Sequence, residues 1–174
     1  GLIMTVIVTK PEINVREKLA ELDYAKVPFQ KMPAGSVIQY ASISTGTSIS
    51  TTSTSYVDTG IDILFSPRLA NSKVLVTVQS RRFNLVTADT INIICKRNDD
   101  VIIGTQQQNE QNLHFHNNTS TASNQIAIPL HYMWEDSPGS TSEVTYTLYI
   151  KVNAGTGYLA DSGGVQLYVQ EIAQ

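Results

Sequence analysis

His114-Phe115-His116 is the feature of this sequence that most resembles a metal site. Residues two positions apart point to the same face of a β-strand, so the two imidazoles would lie side by side. Two nitrogen ligands are too few for a transition ion, but three chains around an axis would supply an octahedral set. The alternative is an exposed or locally hydrogen-bonded pair in a polar loop. We expect that alternative, and the sequence therefore predicts no metal or other cofactor.

The acidic residues show no catalytic pattern. Glu135 and Asp136 are adjacent, so their carboxylates would point to opposite faces of an extended chain. The Ser-Pro-Gly sequence that follows them indicates a turn, whereas a glycosidase needs two carboxylates across a cleft. Neither a Gly-x-Ser-x-Gly elbow, a His-Glu-x-x-His helix nor a phosphate-binding loop is present in the sequence. We therefore predict that the chain is not an enzyme.

Aromatic and amide side chains are better candidates for binding a ligand, because proteins bind neutral sugars with aromatic planes and polar rims. Trp134 ends a predicted strand, although its phase fits a core position equally well. The pair Arg81 and Arg82 would suit an anionic sugar, a solvated strand face or an intersubunit ion pair. The predicted contact surface consists of Asn112, Asn117, Asn118, Tyr158 and Asp161, with Trp134 as a lower-ranked member.

These residues must be positioned by β-strands, because from Ser36 onward apolar and polar residues alternate with a period of two. Pro129 inside one run indicates an edge strand or a bulge. The pattern predicts an all-β, antiparallel β-sandwich of about eight strands, similar to a jelly roll. The predicted strands lie near 37–44, 56–65, 73–80, 90–97, 101–106, 125–134, 143–153 and 165–173, with a short additional one near 113–116.

Loops alternate between the two ends of a jelly roll. Segments 107–124 and 154–164 would then share one end of the sandwich, and 134–142 would lie at the other. Loops on a rigid sandwich are where binding usually resides. The Ser/Thr-rich tract 44–55 indicates a surface loop or a frayed strand end.

The composition argues against two classes of partner, nucleic acids and membranes. Charged residues make up only 16% of the chain, the net charge is −3, and no cluster of Lys and Arg exceeds a pair. Nucleic-acid binding requires a basic patch, so we predict no nucleic-acid partner. The longest apolar run is far shorter than the roughly 18–20 residues that span a membrane, so we predict no membrane insertion. The single cysteine, Cys95, is in phase with two isoleucines and is predicted to be buried.

Residues 1–34 differ from the rest and are predicted to form an arm with a short helix. Asn14 is a candidate N-cap, and Pro28 would end the helix. A stripe of Val15, Leu19 and Leu22 follows the cap. About three turns are not stable alone in water, so the stripe must bury against something. The candidates are the chain's own sheet, a three-helix bundle of identical chains, or another protein.

The stretch from Gly35 onward is similar to a known family. A Gly-x-Val-x-Gln opening at Gly35, a run STTSTSYVDTG ending at Gly60, Ser66-Pro67 and the strand opening Ser-Lys-Val-Leu-Val at Ser72 carry the resemblance. They resemble the C-terminal head domain of phage tail-fibre and related virion proteins, common in phages of marine bacteria. The resemblance covers about residues 35–174, and none of its motifs is catalytic.

The resemblance implies a homotrimer in the virion, assembled in the cytoplasm of a bacterial host. Segment 1–34 would trimerise the chain or attach it to other virion proteins. The head domain 35–174 would bind the host surface, with a polysaccharide as the expected receptor. The alternative is a capsid-decorating or head-fibre protein, held on the shell through the same N-terminal segment.

Overall fold

The computed structural model describes residues 28–86, 90–98, 100–101, 113–116, 126–161 and 164–174. Apart from a single 3₁₀ turn at Phe29–Lys31, the regular structure of these residues is β-strand. The strands are β1 (Val37–Thr45), β2 (Ile49–Thr51), β3 (Val57–Phe65), β4 (Lys73–Val86), β5 (Thr90–Arg97), β6 (Asp100–Val101), β7 (Leu113–His116), β8 (Ile126–Asp136), β9 (Val144–Val152), β10 (Thr156–Ala160) and β11 (Val165–Ile172).

The strands of the described residues form two antiparallel sheets. In the first sheet, β4 has β8 on one side and both β10 and β11 on the other, one after the other along its length. In turn β1 pairs with β11, and β2 pairs with β10. Thus β1 and β2 share one strand position, as do β10 and β11. The second sheet has the order β3, β9, β5, with β6 and β7 sharing the position beyond β5.

Counted in this way, the described residues fill eight strand positions whose pairing is nested. The first position pairs with the eighth, the second with the seventh, the third with the sixth and the fourth with the fifth. This is the topology of a long hairpin rolled into two four-position sheets, which is a jelly roll. The all-β sandwich predicted from the alternation is confirmed.

The predicted apolar phases form the core between the two sheets. Val74, Val76 and Val78 on β4 are fully buried, and Ile91, Ile93 and Cys95 on β5 belong to the same buried cluster. The apolar phases of β3 and β9 are buried with them. Burying a side chain of this size stabilises the fold by about 1.5–3 kcal/mol. The core position predicted for Cys95 is confirmed.

Pro129 shows how the sequence specifies the edge of a sheet. Ser80 pairs with Leu130 and Phe83 with Ile128, so Arg81 and Arg82 both lie opposite Pro129. An extra residue on one strand is a β-bulge. Proline is tolerated opposite a bulge because the ladder is interrupted there and does not need the N–H that proline lacks. β8 pairs with β4 alone among the described strands. Pro129 therefore lies on an edge strand and at a bulge.

The structure departs from the predicted strands in three places. β4 continues to Val86, beyond its predicted end near 80. Of the predicted strand 101–106, only Val101 lies within the described residues, on β6. β2 lies inside the Ser/Thr-rich tract, and β10 lies inside segment 154–164, which had been expected to be a loop. Short strands rich in glycine, serine and threonine lack the apolar alternation that identifies a strand. The helix predicted after Asn14 and its apolar stripe lie outside the described residues. No helix in the described part of the chain has the length and hydropathy needed to cross a membrane.

Candidate ligand-binding site

A gap in strand pairing opens a groove in the first sheet. Thr45 pairs with Val165, and the next pair along the same strand positions is Ile49 with Ala160. Between these pairs, residues 46–48 on one side and the described residues Asp161 and Gly164 on the other lie outside the ladder. A cavity of about 360 Å³ lies beside the gap. That volume is within the range of roughly 300–1,000 Å³ for small-molecule sites.

The backbone at Gly164 fixes the shape of this groove. Gly164 has φ +77°, and a Cβ atom there would lie 2.8 Å from the carbonyl oxygen of Thr45. Only glycine combines this left-handed backbone with such a close approach. The carbonyl oxygen of Gly164 also accepts a hydrogen bond from the Ser80 hydroxyl at 3.4 Å. The close approach to Thr45 on β1 and the bond from Ser80 on β4 therefore fix the position of Gly164 at the gap.

Four of the eight described residues that line the groove have uncharged polar side chains, and the others are two glycines, a valine and an arginine. β1 contributes hydroxyl groups, β4 and β11 contribute amides, and the β4 bulge contributes one guanidinium. The residues that carry these groups, with the glycine of the gap, are Ser44, Thr45, Gln79, Arg81, Gly164 and Gln166.

Two tyrosines adjoin the polar lining. The hydroxyl group of Tyr168 donates to the side-chain oxygens of Gln79, at 3.3 Å, and of Gln166. Its ring packs against Tyr40, with centroids 6.2 Å apart, and Tyr40 is 55% exposed. The hydroxyl and amide groups of the groove therefore lie next to an aromatic surface, and the two together have the chemistry that binds sugars.

The two arginines of the β4 bulge have different surroundings. The guanidinium of Arg82 lies 3.5 Å from the carboxylate of Asp161. The Asp161 backbone N–H donates to the carbonyl oxygen of Arg82, and the Asn84 side-chain amide donates to the Asp161 carboxylate at 3.0 Å. Arg81 lines the groove. In the described part of the chain, no ion pair involves Arg81.

The structure brings two of the predicted contact residues to this sheet. Tyr158 and Asp161 both lie next to β4, where Tyr158 pairs with Asn84. Tyr158 is half-buried on strand β10, with β2 on its other side. It therefore belongs to the middle of a sheet and not to a loop at the end of the sandwich. Asn84 is fully buried, and its side-chain oxygen has no hydrogen-bond partner among the described residues.

Trp134 is a core residue. It is 1% exposed, lies opposite Val76 on β4, and contacts Tyr132 edge-on with centroids 4.9 Å apart. An indole buried between two sheets cannot stack on a sugar at the surface, so Trp134 does not belong to the contact surface. The phase of Trp134 in the sequence also fitted a core position, and the structure places it there.

The remaining predicted residues lie wholly or partly outside the described part of the chain. Asn112, Asn117 and Asn118 lie outside it. His114 and His116 have a described backbone on β7, where they pair with Asn92 and Thr90, but their side chains are not described. Among the residues that are described, no group of three or more His, Cys, Asp and Glu side chains could hold a metal ion.

A second polar cluster joins the two sheets and has a structural role. Arg97 on β5 bonds to both oxygens of Asp136 on β8, at 2.8 and 2.9 Å. The Tyr146 hydroxyl on β9 donates to the same carboxylate at 2.8 Å. Burial, with the charge of Asp136, raises the pKa values of Tyr146 and Cys95 well above their usual range. Cys95 is thus a buried, protonated thiol and not a nucleophile.

Sequence reasoning missed the groove because the sequence does not show which residues lie opposite each other. Ser44 and Thr45 belong to a low-complexity tract, and Gln79 and Gln166 lie 87 residues apart. The available signal was local: two consecutive arginines within a strand, and a proline in the strand that pairs with it. That combination predicts a bulge but not the cavity beside it.

Neither a protein-family model nor a curated protein matches this chain. Among solved structures, the chain aligns with the infectious bursal disease virus VP2 subviral particle at 12% sequence identity. The alignment covers 79% of this chain and 42% of that chain, and the TM-score is 0.21. A likeness at this score is too weak to indicate either fold or function.

Proposed function

We propose that this chain is a phage virion protein whose sandwich is the receptor-binding head of a tail fibre. In this proposal the head binds a polysaccharide of the host surface and performs no reaction. The observation that carries the proposal is the groove between β1, β4 and β11, where hydroxyl and amide groups lie beside Tyr168 and Tyr40. Such a lining offers hydrogen bonds to sugar hydroxyls and an apolar surface to a sugar ring.

The sequence supports the same proposal independently. The resemblance to tail-fibre head domains extends over residues 35–174, which include every strand that the structure describes. The jelly roll alone is weaker support, because one fold serves many functions. A surface with few charges suits contact with a polysaccharide better than contact with nucleic acid.

The proposed assembly is a homotrimer attached to other virion proteins through segment 1–34. Three heads on one axis would present three grooves to a repetitive polymer. When binding sites are linked, the overall avidity exceeds the affinity of one site by a factor of roughly 10²–10⁴, without any new contact. Weak binding by a single shallow groove is therefore compatible with firm attachment of a virion.

Labelling of the particle tests the proposed function. Antibody fragments against the sandwich, followed by gold labelling of intact virions in the electron microscope, should mark the tips of tail fibres. Purified protein should also compete with virions for adsorption to host cells. Gold on the capsid would replace the fibre head with the capsid-decorating alternative, and unlabelled particles would remove the virion assignment.

A further inference from the structure

Arg81 is the one charged residue among the described residues that line the groove. The neighbouring Arg82 already has a carboxylate partner in Asp161. No such partner is present for Arg81 within the described residues. A guanidinium at the side of a cavity attracts an anionic group, and its planar fork of N–H donors matches a carboxylate with two parallel hydrogen bonds.

The amides on either side add further donors. The side-chain oxygens of Gln79 and Gln166 both point to the Tyr168 hydroxyl, whose single hydrogen they share. The NH₂ groups of both side chains are left to donate to a ligand. The wall formed by β4 and β11 is therefore rich in donors, which favours a ligand rich in acceptors.

We propose that the groove binds an acidic sugar residue, with Arg81 forming a forked pair with its carboxylate. Gln79 and Gln166 donate to oxygens of the same residue, and Tyr168 holds both amides in place. This inference rests on the proposed function for the presence of a host polysaccharide and adds its chemical class: a polymer containing uronic acids. The β4 bulge supplies the specificity, because it places one arginine in the groove and pairs the next with Asp161.

Titration of the purified full chain with defined sugars tests the proposal. The probes are trisaccharides of galacturonate, glucuronate and mannuronate, their methyl esters, and a sulfated trisaccharide, with binding followed by NMR. At least one uronate should bind at millimolar concentration and shift the Nε–H resonance of Arg81. Its methyl ester, which keeps the sugar ring and removes the charge, should bind about tenfold or more weakly, as expected for the loss of a charged hydrogen bond.

Two variants with the same change of charge locate the site. Arg81→Gln should lower uronate affinity about tenfold or more, whereas Arg82→Gln should retain it within about threefold, because that side chain pairs with Asp161 at a partly exposed position. Equal losses in both variants would indicate non-specific attraction and overturn the proposal. The proposal would also be overturned if Arg81→Gln kept its uronate affinity or if the ester bound as tightly as the acid. It would be overturned as well if only the sulfated sugar bound, or if no uronate bound. Thermal unfolding checks that both variants are folded.

These outcomes are separate from those of the proposed function. The protein could bind uronate through Arg81 and yet neither label fibre tips nor compete for adsorption. That result would support the uronate site and contradict the role in the fibre. Labelled fibre tips without uronate binding would leave the fibre role standing and remove the acidic sugar.

Discussion

The carboxylate of Glu171 accepts the backbone N–H of Arg68 with both of its oxygens, at 2.8 and 2.9 Å. One of these oxygens also accepts the N–H of Leu69, at 2.9 Å. Glu171 lies on β11 and is fully buried, whereas Arg68 belongs to the connection between β3 and β4. One side chain of the first sheet therefore fixes the segment through which the chain leaves the second sheet.

Replacing this carboxylate should destabilise the whole domain. Glu171→Gln removes a charged acceptor and turns an NH₂ group toward backbone donors, which leaves buried groups unsatisfied. We expect a loss of about 2–4 kcal/mol in the free energy of unfolding, measured by urea denaturation. Glu135→Gln is the control, because Glu135 forms an exposed ion pair with Lys73 and should change stability by less than about 1 kcal/mol. Equal effects of the two changes would contradict the structural role of Glu171.

The raised pKa values of Tyr146 and Cys95 predict a loss of stability in alkali. Below their ordinary pKa values, about 8.5 for a thiol and about 10 for a phenol, both groups are protonated in the folded and unfolded states. Above those values the unfolded chain releases the protons and the folded chain keeps them, because burial raises both pKa values. The unfolded state then gains stability by about 1.4 kcal/mol per pH unit for each group.

Denaturation at several pH values checks this prediction. Up to about pH 8, these two groups should not change the free energy of unfolding. Above about pH 8, the free energy of unfolding should fall as the pH rises. Cys95→Ala should flatten the dependence from about pH 8.5 upward, and Tyr146→Phe should flatten it from about pH 10 upward. Each variant also lowers stability at every pH, through a cavity or through the lost bond to Asp136. The slope is therefore the informative quantity, and an unchanged slope in both variants would show that other groups cause the effect.

The sequence predicts the core of this fold well and its groove poorly, for the same physical reason. Burial of one sheet face imposes an alternation that a single strand displays by itself, as Val74, Val76 and Val78 do. The groove depends on register: Thr45 approaches Gly164 only because β1 pairs with β11 in one alignment and β2 pairs with β10 in another. No local pattern encodes that offset.

Tyr158 and Trp134 illustrate the same limit for single residues. The glycines around Tyr158 indicated a loop, whereas pairing with β2 and β4 makes the segment a strand. Trp134 had the phase of a core residue as well as the chemistry of a binding residue, and only the packed structure distinguishes the two. Binding residues share their types with core residues, so composition and phase alone do not separate them.

Gly164 and Gly46 both line the groove but should respond differently to substitution by alanine. A Cβ atom at Gly164 would lie 2.8 Å from the Thr45 carbonyl oxygen and would require a left-handed backbone for alanine, whereas a Cβ atom at Gly46 meets nothing within 4 Å. Gly164→Ala should cost about 1–3 kcal/mol and widen the groove. Gly46→Ala should change stability by less than about 1 kcal/mol. Thermal unfolding of the two variants measures the difference, and equal melting temperatures would argue against the tight gap.

Assembly is the remaining prediction. The proposed homotrimer should sediment near three times 19.1 kDa at micromolar concentration in analytical ultracentrifugation. If segment 1–34 holds the trimer through the stripe of Val15, Leu19 and Leu22, Leu19→Asp should convert the trimer to monomers, because a charge cannot be buried in an apolar seam. Because the proposed trimer buries the stripe between chains and not in the sandwich, the same variant should keep the melting temperature of the sandwich. Leu64→Asp is the matched control, since Leu64 is 61% exposed on β3 outside the segment. A wild-type protein that sediments as a monomer would remove the trimer, and a trimeric Leu19→Asp variant would place the contacts in the sandwich.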